Sequence, residues 1–218
     1  MRERRPSKAG RFRQQGSFVA LGAGCLCSLL AAALAFGATG ALTPKDCIDD
    51  EVPGGPDNCP EEAKGLNGAA SVAVSPDGKS VYAASRNDDA IVRFKRNTRN
   101  GKLTPKGCVD DNDSGADDCA EDTNGLDSAT SVVLSPDGKS LYAASLVDSA
   151  IVRFKRNTRN GKLTPKGCVD DNDSGADTCG QDTNGLDGAI SVAVSPDGKS
   201  LYAASQFDDA IVRFKRER

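Results

Sequence analysis

A repeat of 60 residues constrains this chain more than any other feature. Residues 71–85 recur as 131–145 and again as 191–205. Residues 90–117 and 150–177 are identical at every position, which indicates duplication of one structural unit. Self-similarity at a fixed period is typical of folds built from repeated units, in which each unit buries its apolar surface against its neighbours. The 218-residue chain carries three such units.

Each unit has the pattern of four short strands. In the first strand, valines alternate with small residues, as a half-buried strand requires. Residues 75–79 (Ser-Pro-Asp-Gly-Lys) predict a tight turn, because Pro sets φ and Asp-Gly tolerates positive φ. Pro105 lacks an N–H, so the fourth strand is expected at an outer edge. The four strands predicted for the first unit are residues 71–75, 81–84, 91–94 and 103–106. The sequence therefore predicts an all-β, β-propeller-like fold with three four-stranded antiparallel blades.

These motifs carry a family resemblance. The run Ser-Pro-Asp-Gly-Lys-Ser-Leu-Tyr-Ala-Ala-Ser at 195–205, followed by Asp-Ala-Ile-Val-Arg-Phe, resembles the bacterial YVTN-type repeat. That group is similar to the lactonase-like β-propellers, and the resemblance extends over residues 41–218. It departs from the family pattern where Tyr-Ala-Ala-Ser replaces Tyr-Val-Thr-Asn, and each unit is longer than the usual blade. The resemblance implies a propeller fold, which by itself does not specify an activity.

The two ends of the repeat region suggest how a ring closes. Residues 42–47 correspond to 103–108, the fourth strand of a blade, whereas the last unit stops after its third strand at 211–215. We therefore expect the N-terminal strand to complete the last blade. Closed propellers have about four to eight blades, so three are too few for an ordinary ring. A homodimer completing a six-bladed ring is the expected solution. A strained or open monomer, or an incomplete copy from a larger repeat array, remains an alternative.

The N-terminal region has the pattern of an export segment. Residues 1–16 contain six basic side chains, and residues 17–36 carry no charge. Residues 1–41 are therefore predicted to be an export signal or an N-terminal membrane anchor, and residues 42–218 the repeat domain. The expected location is extracellular or in the cell envelope. Membrane contact is expected only through the N-terminal segment, if it stays uncleaved.

Six cysteines follow the export segment, with one closely spaced pair in each unit. Recurrent spacing, an even count and export predict local disulfides. A zinc site fits poorly, because the chain has no histidine and the close Cys-x2–4-Cys spacing is missing. The predicted pairs are Cys47 with Cys59, Cys108 with Cys119, and Cys168 with Cys179.

The loops between paired cysteines are acidic. Their Asp-x-Asp-x-Gly spacing resembles part of a calcium loop, because a hard cation prefers several oxygen ligands on a tight turn. A solvated acidic surface loop is the alternative interpretation. Calcium is the only cofactor considered. The candidate ligands are Asp110, Asp111, Asp113, Asp170, Asp171 and Asp173.

The alternating strand directions sort the remaining charges onto two faces. The turns between strands one and two and between strands three and four are basic, whereas the opposite loops contain Asp88 and Asp89. The field of such a disk suits anionic envelope polymers on the basic side or cations on the acidic side, and a role in solubility alone is the alternative. An envelope polymer or a protein is the partner considered. Nucleic acid is not expected, since the exported part is acidic and sparse in aromatic residues.

Composition restricts the chemistry. With no histidine in the chain, Ser-His-Asp and Cys-His catalysis are excluded. The predicted inner strands at 71–75, 131–135 and 191–195 offer only small apolar groups and hydroxyls, so no catalytic residue is predicted. The expected function is therefore a non-enzymatic, exported binding or scaffolding module. A lactonase-like hydrolytic propeller is the alternative.

Overall fold

The computed structural model describes residues 40–51, 59–113, 119–174 and 179–217. Nearly all of the predicted export segment lies outside these residues. Within the described ranges every regular element is a β-strand. The same ranges contain no helix long and apolar enough to cross a membrane. The prediction of an all-β, propeller-like fold is confirmed.

Each repeat unit forms one sheet whose strands follow chain order and pair antiparallel, except for a two-residue parallel strand at the outer edge of the first two units. Blade 1 contains β3 to β7, blade 2 contains β8 to β12, and blade 3 contains β13 to β15. The inner strands β3, β8 and β13 are neighbours in that order. The strands are β1 (Asp49–Asp50), β2 (Glu62–Ala63), β3 (Ala69–Val74), β4 (Ser80–Ser85), β5 (Ala90–Arg96), β6 (Leu103–Asp111), β7 (Asp122–Thr123), β8 (Ala129–Leu134), β9 (Ser140–Ser145), β10 (Ala150–Arg156), β11 (Leu163–Asp171), β12 (Asp182–Thr183), β13 (Ala189–Val194), β14 (Ser200–Ser205) and β15 (Ala210–Lys215).

The turn between the first two strands of blade 1 forms as its residues predict. Gly78 takes φ +67° and donates its N–H to the Ser75 carbonyl at 2.7 Å. Ser75 Oγ donates to Asp77 Oδ1 at 2.6 Å and accepts the Ser80 N–H at 2.9 Å. The same bonds recur in the other two blades, at Ser135 and Ser195. These side-chain bonds fix the turn that joins β3 to β4.

The core lies between consecutive blades. Tyr82, Ile91 and Val109 of blade 1 are buried in one cluster with apolar residues of blade 2. Tyr142 and Ile151 of blade 2 lie in the equivalent cluster with blade 3. The blades are thus held together by repeating the same packing. That repetition follows from their nearly identical sequences.

Three disulfides form as predicted, with Cα–Cα distances of 5.0 to 5.2 Å. They join Cys47 to Cys59, Cys108 to Cys119, and Cys168 to Cys179. Cys108 and Cys168 lie within the outer strands β6 and β11, and their bridges link those strands to the chain that enters the following blade. Beside each bridge lies a two-residue parallel pairing that the sequence does not predict, such as Asp110 with Asp122.

The prediction that an N-terminal strand completes the last blade is not met by this structure. Residues 40–48 form no strand, and within the described residues β15 pairs only with β14. The physical reason lies in the order of the blades. The inner strands β3 and β13 each lie beside β8, so residues 47–50, which are joined to the entrance of blade 1, lie at the end of the row away from β15.

Candidate functional site

A basic groove lies between blades 1 and 2, at the end of the sheets where the β3–β4 and β5–β6 turns meet. It encloses about 820 Å³ and has no carboxylate in its lining. We call the following set the basic groove: Lys79, Ser80, Arg93, Lys95, Arg96, Asn97, Thr98, Thr104, Lys106, Arg156, Thr158, Arg159 and Asn160. Seven of these thirteen side chains are cationic, so the groove is suited to an anionic ligand.

Local turn chemistry shapes the blade 2 wall of the groove. Asn157 Oδ1 accepts the Arg159 N–H at 2.9 Å, and Asn160 Oδ1 accepts the Lys162 N–H at 3.0 Å. Side-chain bonds of this kind hold a turn in a single form. From blade 1, Arg93 reaches across the groove and donates to the Asn160 carbonyl at 2.8 Å. The wall is therefore an ordered turn bonded to the neighbouring blade.

The cations of the groove fall into two groups. Arg93, Arg96 and Arg156 donate to backbone carbonyls and so belong to the frame of the groove. The second group projects into solvent at the rim, where its ammonium and guanidinium groups are accessible to a ligand. That group consists of Lys79, Lys95, Lys106 and Arg159.

Arg156, one of the lining residues, is the centre of a polar network that lies behind the groove. Its Nε donates to Tyr82 Oη at 2.7 Å, and its Nη1 donates to the Gly138 carbonyl at 3.1 Å. Nη2 forms an ion pair with Asp77 Oδ2 at 3.1 Å. Tyr82 Oη donates in turn to the Gly161 carbonyl at 2.6 Å. We call this set the Arg156 lock, because it joins blade 1 to blade 2 through polar groups that are mutually satisfied.

Gly161 is required where it stands in the lock. Its φ is +77°, and a Cβ at this position would collide with Ser80 Oγ and approach Tyr82 Oη. Only glycine combines that backbone conformation with such a close approach. Tyr82 is therefore a core residue whose hydroxyl also determines the packing between blades.

The lock recurs between blades 2 and 3. Arg216 Nε donates to Tyr142 Oη at 2.7 Å, and its Nη1 donates to the Gly198 carbonyl at 2.5 Å. The guanidinium carbon lies 5.4 Å from the centre of the Tyr142 ring. Because the same contact appears at both junctions, it has a structural role in joining blades.

Asp77 is held ionised by its surroundings. Partial burial acts to raise the pKa of its carboxyl, but hydrogen bonds from Ser75 Oγ, the Lys79 N–H and Arg156 outweigh burial and lower the pKa to about 2. A carboxylate with so low a pKa is a weak proton acceptor near neutral pH. Asp77 therefore stabilises the lock and is poorly suited to act as a general base.

Two of the candidate calcium ligands, Asp111 and Asp171, accept hydrogen bonds from backbone N–H groups. Asp111 Oδ2 accepts the Leu126 N–H at 2.8 Å and its Oδ1 accepts the Asp113 N–H at 2.9 Å. Asp171 makes the equivalent bonds in the next unit. Partial burial acts to raise the pKa of the Asp171 carboxyl, but the hydrogen bonds from backbone N–H groups outweigh burial and hold this pKa below its usual value.

Both acidic loops contribute ligand candidates, and their remaining residues at 114–118 and 175–178 lie outside the described part of the chain. Across the described ranges, no group of three or more acidic or cysteine side chains is placed to hold a metal ion. Asp110 and Asp170 are buried in their blades, whereas Asp113 and Asp173 are exposed. Calcium binding stays a prediction.

Two carboxylates that the sequence places on an acidic face are not exposed to solvent. Asp88 and Asp89 are buried. Asp88 Oδ2 accepts the Asn67 N–H at 2.7 Å, and Asp89 Oδ1 accepts the Ser128 N–H at 2.7 Å. Ser128 takes φ +60°, which Asp89 stabilises from the preceding blade. Asp88 therefore caps a backbone group within blade 1, and Asp89 caps one at the junction with blade 2.

The inner strands also serve the assembly of the blades. Ser71 Oγ accepts the Val132 N–H at 3.2 Å, and Ser131 Oγ accepts the Val192 N–H at 3.2 Å. These serines bond adjacent inner strands to each other. The hydroxyls predicted on the inner strands thus form hydrogen bonds between blades.

Comparison with known proteins finds a matching family model and a curated relative. The family model described as "Lactonase, 7-bladed beta-propeller" matches residues 52–114. A 6-phosphogluconolactonase of Formosa agariphila is 34% identical over 97 residues, which are 44% of this chain and 24% of that protein. The chain therefore matches about a quarter of the length of this curated relative.

Two solved structures are similar to part of this chain. A Bacteroides uniformis protein assigned as a 6-phosphogluconolactonase has a TM-score of 0.50 and 22% identity, covering 67% of this chain and 35% of that one. A Bacteroides fragilis protein with the same assignment has a TM-score of 0.49 and 23% identity, covering 67% and 34%. The resemblance to lactonase-like propellers is confirmed.

The expectation of a non-enzymatic binding or scaffolding module is wrong. The curated relative is a lactonase and the matching family model describes lactonases, which favours the hydrolytic alternative. The absence of histidine excludes imidazole catalysis but does not exclude lactone hydrolysis. Opening a lactone requires a polarised carbonyl and a water molecule, and cationic side chains supply that polarisation without an imidazole.

Proposed function

We propose that this chain, whose repeats are those of a lactonase-like β-propeller, hydrolyses the lactone of a phosphorylated sugar acid. The observation that supports this most is the 34% identity to a 6-phosphogluconolactonase over 97 residues. The basic groove adds a physical reason, because a phosphorylated lactone is an anion. Seven cationic side chains in a groove without carboxylates suit that charge.

The reaction places two demands on a binding site. Water adds to the lactone carbonyl carbon and releases one proton, which leaves a tetrahedral oxyanion. The bond between the carbonyl carbon and the ring oxygen then breaks, and the ring oxygen takes up a proton. The products are a hydroxyl group and a carboxylic acid, which then loses its proton to solvent. A site that accelerates this reaction must hold the phosphate and stabilise the negative charge that develops on the carbonyl oxygen.

The rim of the basic groove can meet both demands. Lys95 and Lys106 extend from neighbouring strands of blade 1, and Arg159 faces them from the turn of blade 2. A planar guanidinium and two ammonium groups bind phosphate oxygens well. The remaining cation at the rim, Lys79, is available to the oxyanion. Because the groove has no carboxylate, electrostatic stabilisation is the main contribution proposed for it.

The proposal for the whole protein includes a closed ring and export. The 97 matched residues are 24% of the curated relative, and this supports an active assembly with more blades than these three. Three disulfides and the basic-then-apolar N-terminal segment favour a location outside the cytoplasm or in the envelope.

The experiment is a pH-stat measurement of acid release by the full chain. The substrates are 6-phosphogluconolactone and the same lactone without its phosphate, each corrected for spontaneous opening. We expect catalysis of both, with kcat/KM at least about tenfold higher for the phosphorylated lactone, because one bound phosphate contributes that much or more. Rates equal to the spontaneous rates for both substrates would refute the proposed function.

A further inference from the structure

The junction between consecutive blades consists of two complementary faces. On one side, Tyr82, Ile91 and Val109 project from blade 1; we call this the knob face. On the other side, blade 2 receives them in a hollow that we call the socket face. The socket face of blade 2 is formed by Leu126, Ala129, Val132, Leu141, Phe154 and Leu163. The junction between blades 2 and 3 repeats this arrangement with Tyr142 and Ile151 as knobs.

The socket face of blade 1 holds a cavity. An apolar space of about 300 Å³ lies against the residues that correspond, 60 positions earlier, to the socket face of blade 2. Ile48 lines this cavity in the position that Val109 takes at the next junction, while the positions of the two larger knobs are open. The corresponding lining residues are Leu66, Ala69, Val72, Val81, Phe94 and Leu103.

The knob face of blade 3 is uncovered. Tyr202 is 39% exposed, whereas Tyr82 and Tyr142 are 0% and 7% exposed. Ile211 is 76% exposed, whereas its counterpart Ile91 is fully buried. Blade 3 therefore presents the two large knobs that the cavity in blade 1 lacks.

The polar contacts of the junction also have counterparts at the two ends of the row of blades, namely Arg96 in blade 1 and Tyr202 in blade 3. Arg96 Nη1 donates to the Gly78 carbonyl at 3.1 Å, in the way that Arg156 and Arg216 bond to Gly138 and Gly198. Unlike those two arginines, Arg96 has no tyrosine hydroxyl among its hydrogen bonds here. At the opposite end, Tyr202 is the one repeat tyrosine without an arginine partner in the described residues.

The order of the strands also indicates that the free edge of blade 3 fits the N-terminal residues beside blade 1. Residues 44–50 correspond to the outer-strand residues 105–111, and β15 lacks an outer partner within the described part. In blade 1 the register pairs Ile91 with Val109 and Val92 with Cys108. The equivalent pairs in a completed blade 3 are Ile211 with Ile48 and Val212 with Cys47.

We propose that blade 3 of one copy docks onto blade 1 of a second copy, so that Tyr202 and Ile211 fill the cavity and Tyr202 Oη meets Arg96. Residues 44–50 of the second copy add the outer strand to β15. A two-fold axis repeats this junction and closes a ring of six blades, within the four to eight that are usual. The occupant is a second copy because the junction inside the chain already shows that these two surfaces fit together. The proposal does not depend on hydrolytic activity.

The test is sedimentation equilibrium of the full chain and two variants, from about 1 to 50 μM. The wild-type chain is expected to be a dimer, and Ile211→Glu a monomer with at least about thirtyfold weaker association, since a charge replaces a central apolar knob. Ile211 is exposed within one copy, so each copy of the variant should keep its fold, which circular dichroism checks.

The matched control is Phe207→Ser, which removes an exposed aromatic side chain from the β14–β15 loop of the same blade. It should remain a dimer, because its position lies outside the knob face. A wild-type monomer throughout this range would overturn the proposal. So would an Ile211→Glu chain that remains dimeric, because association would then use another surface. Neither result depends on any rate of lactone hydrolysis.

Discussion

Replacing the buried Arg156 by methionine should lower the free energy of unfolding by about 3 kcal/mol. Methionine keeps an apolar stem but removes the guanidinium that bonds Tyr82, Asp77 and Gly138 across the junction. The partners left behind lie in or near a buried interface, where unmet hydrogen bonds are costly. Thermal or denaturant unfolding followed by circular dichroism measures the change.

The repeat provides its own control. Arg96 occupies the same sequence position in blade 1 but bonds only the Gly78 carbonyl in the structure. Both methionine variants should be made in the Ile211→Glu chain, so that no second copy covers Arg96. There, Arg96→Met is expected to cost about 1 kcal/mol or less. Equal losses for the two variants would show that the contact with Tyr82 does not stabilise the blade junction.

The double variant Lys95→Glu, Lys106→Glu should reduce kcat/KM for 6-phosphogluconolactone about a hundredfold or more. Two cations at the rim of the basic groove become two carboxylates, so attraction for the phosphate becomes repulsion. Most of the loss should appear in KM, because phosphate binding is the same before and during ring opening. For the lactone without phosphate, the change should stay within about threefold.

Blade 2 again supplies the matched control. Lys155 and Lys166 occupy the same positions in an identical local sequence, but neither lines the basic groove. Lys155→Glu, Lys166→Glu changes the net charge equally and should leave both substrates unaffected within about threefold. If the two double variants lose the same activity, the effect is one of overall charge, and the groove is not the phosphate site.

Much of the fold follows from the repeat alone. The turn at Ser75 forms because Pro, Asp and Gly restrict its backbone, and the cysteine spacing predicts all three bridges. The basic side of the groove also follows from alternating strand direction, which brings the turns carrying Lys79 and Arg159 to one end of the sheets. These features depend on local sequence, so a single chain is enough to predict them.

The features that were missed depend on contacts between units. Arg156 and Tyr82 are 74 residues apart, and nothing near either residue indicates that the two meet. Asp88 and Asp89 suggest an acidic surface, but they are buried as acceptors for backbone N–H groups. The short β1–β2 and β6–β7 pairings contain acidic residues and no β-strand pattern, so they too emerge only from the tertiary structure.

The most direct test of the lactonase account is a crystal structure of the full chain with the ring-opened product of 6-phosphogluconolactone. The account predicts that the phosphate of this acid lies in the basic groove, within hydrogen-bonding distance of Lys95, Lys106 or Arg159. A product bound instead along the inner strands β3, β8 and β13, or no bound product at millimolar concentration, would contradict it.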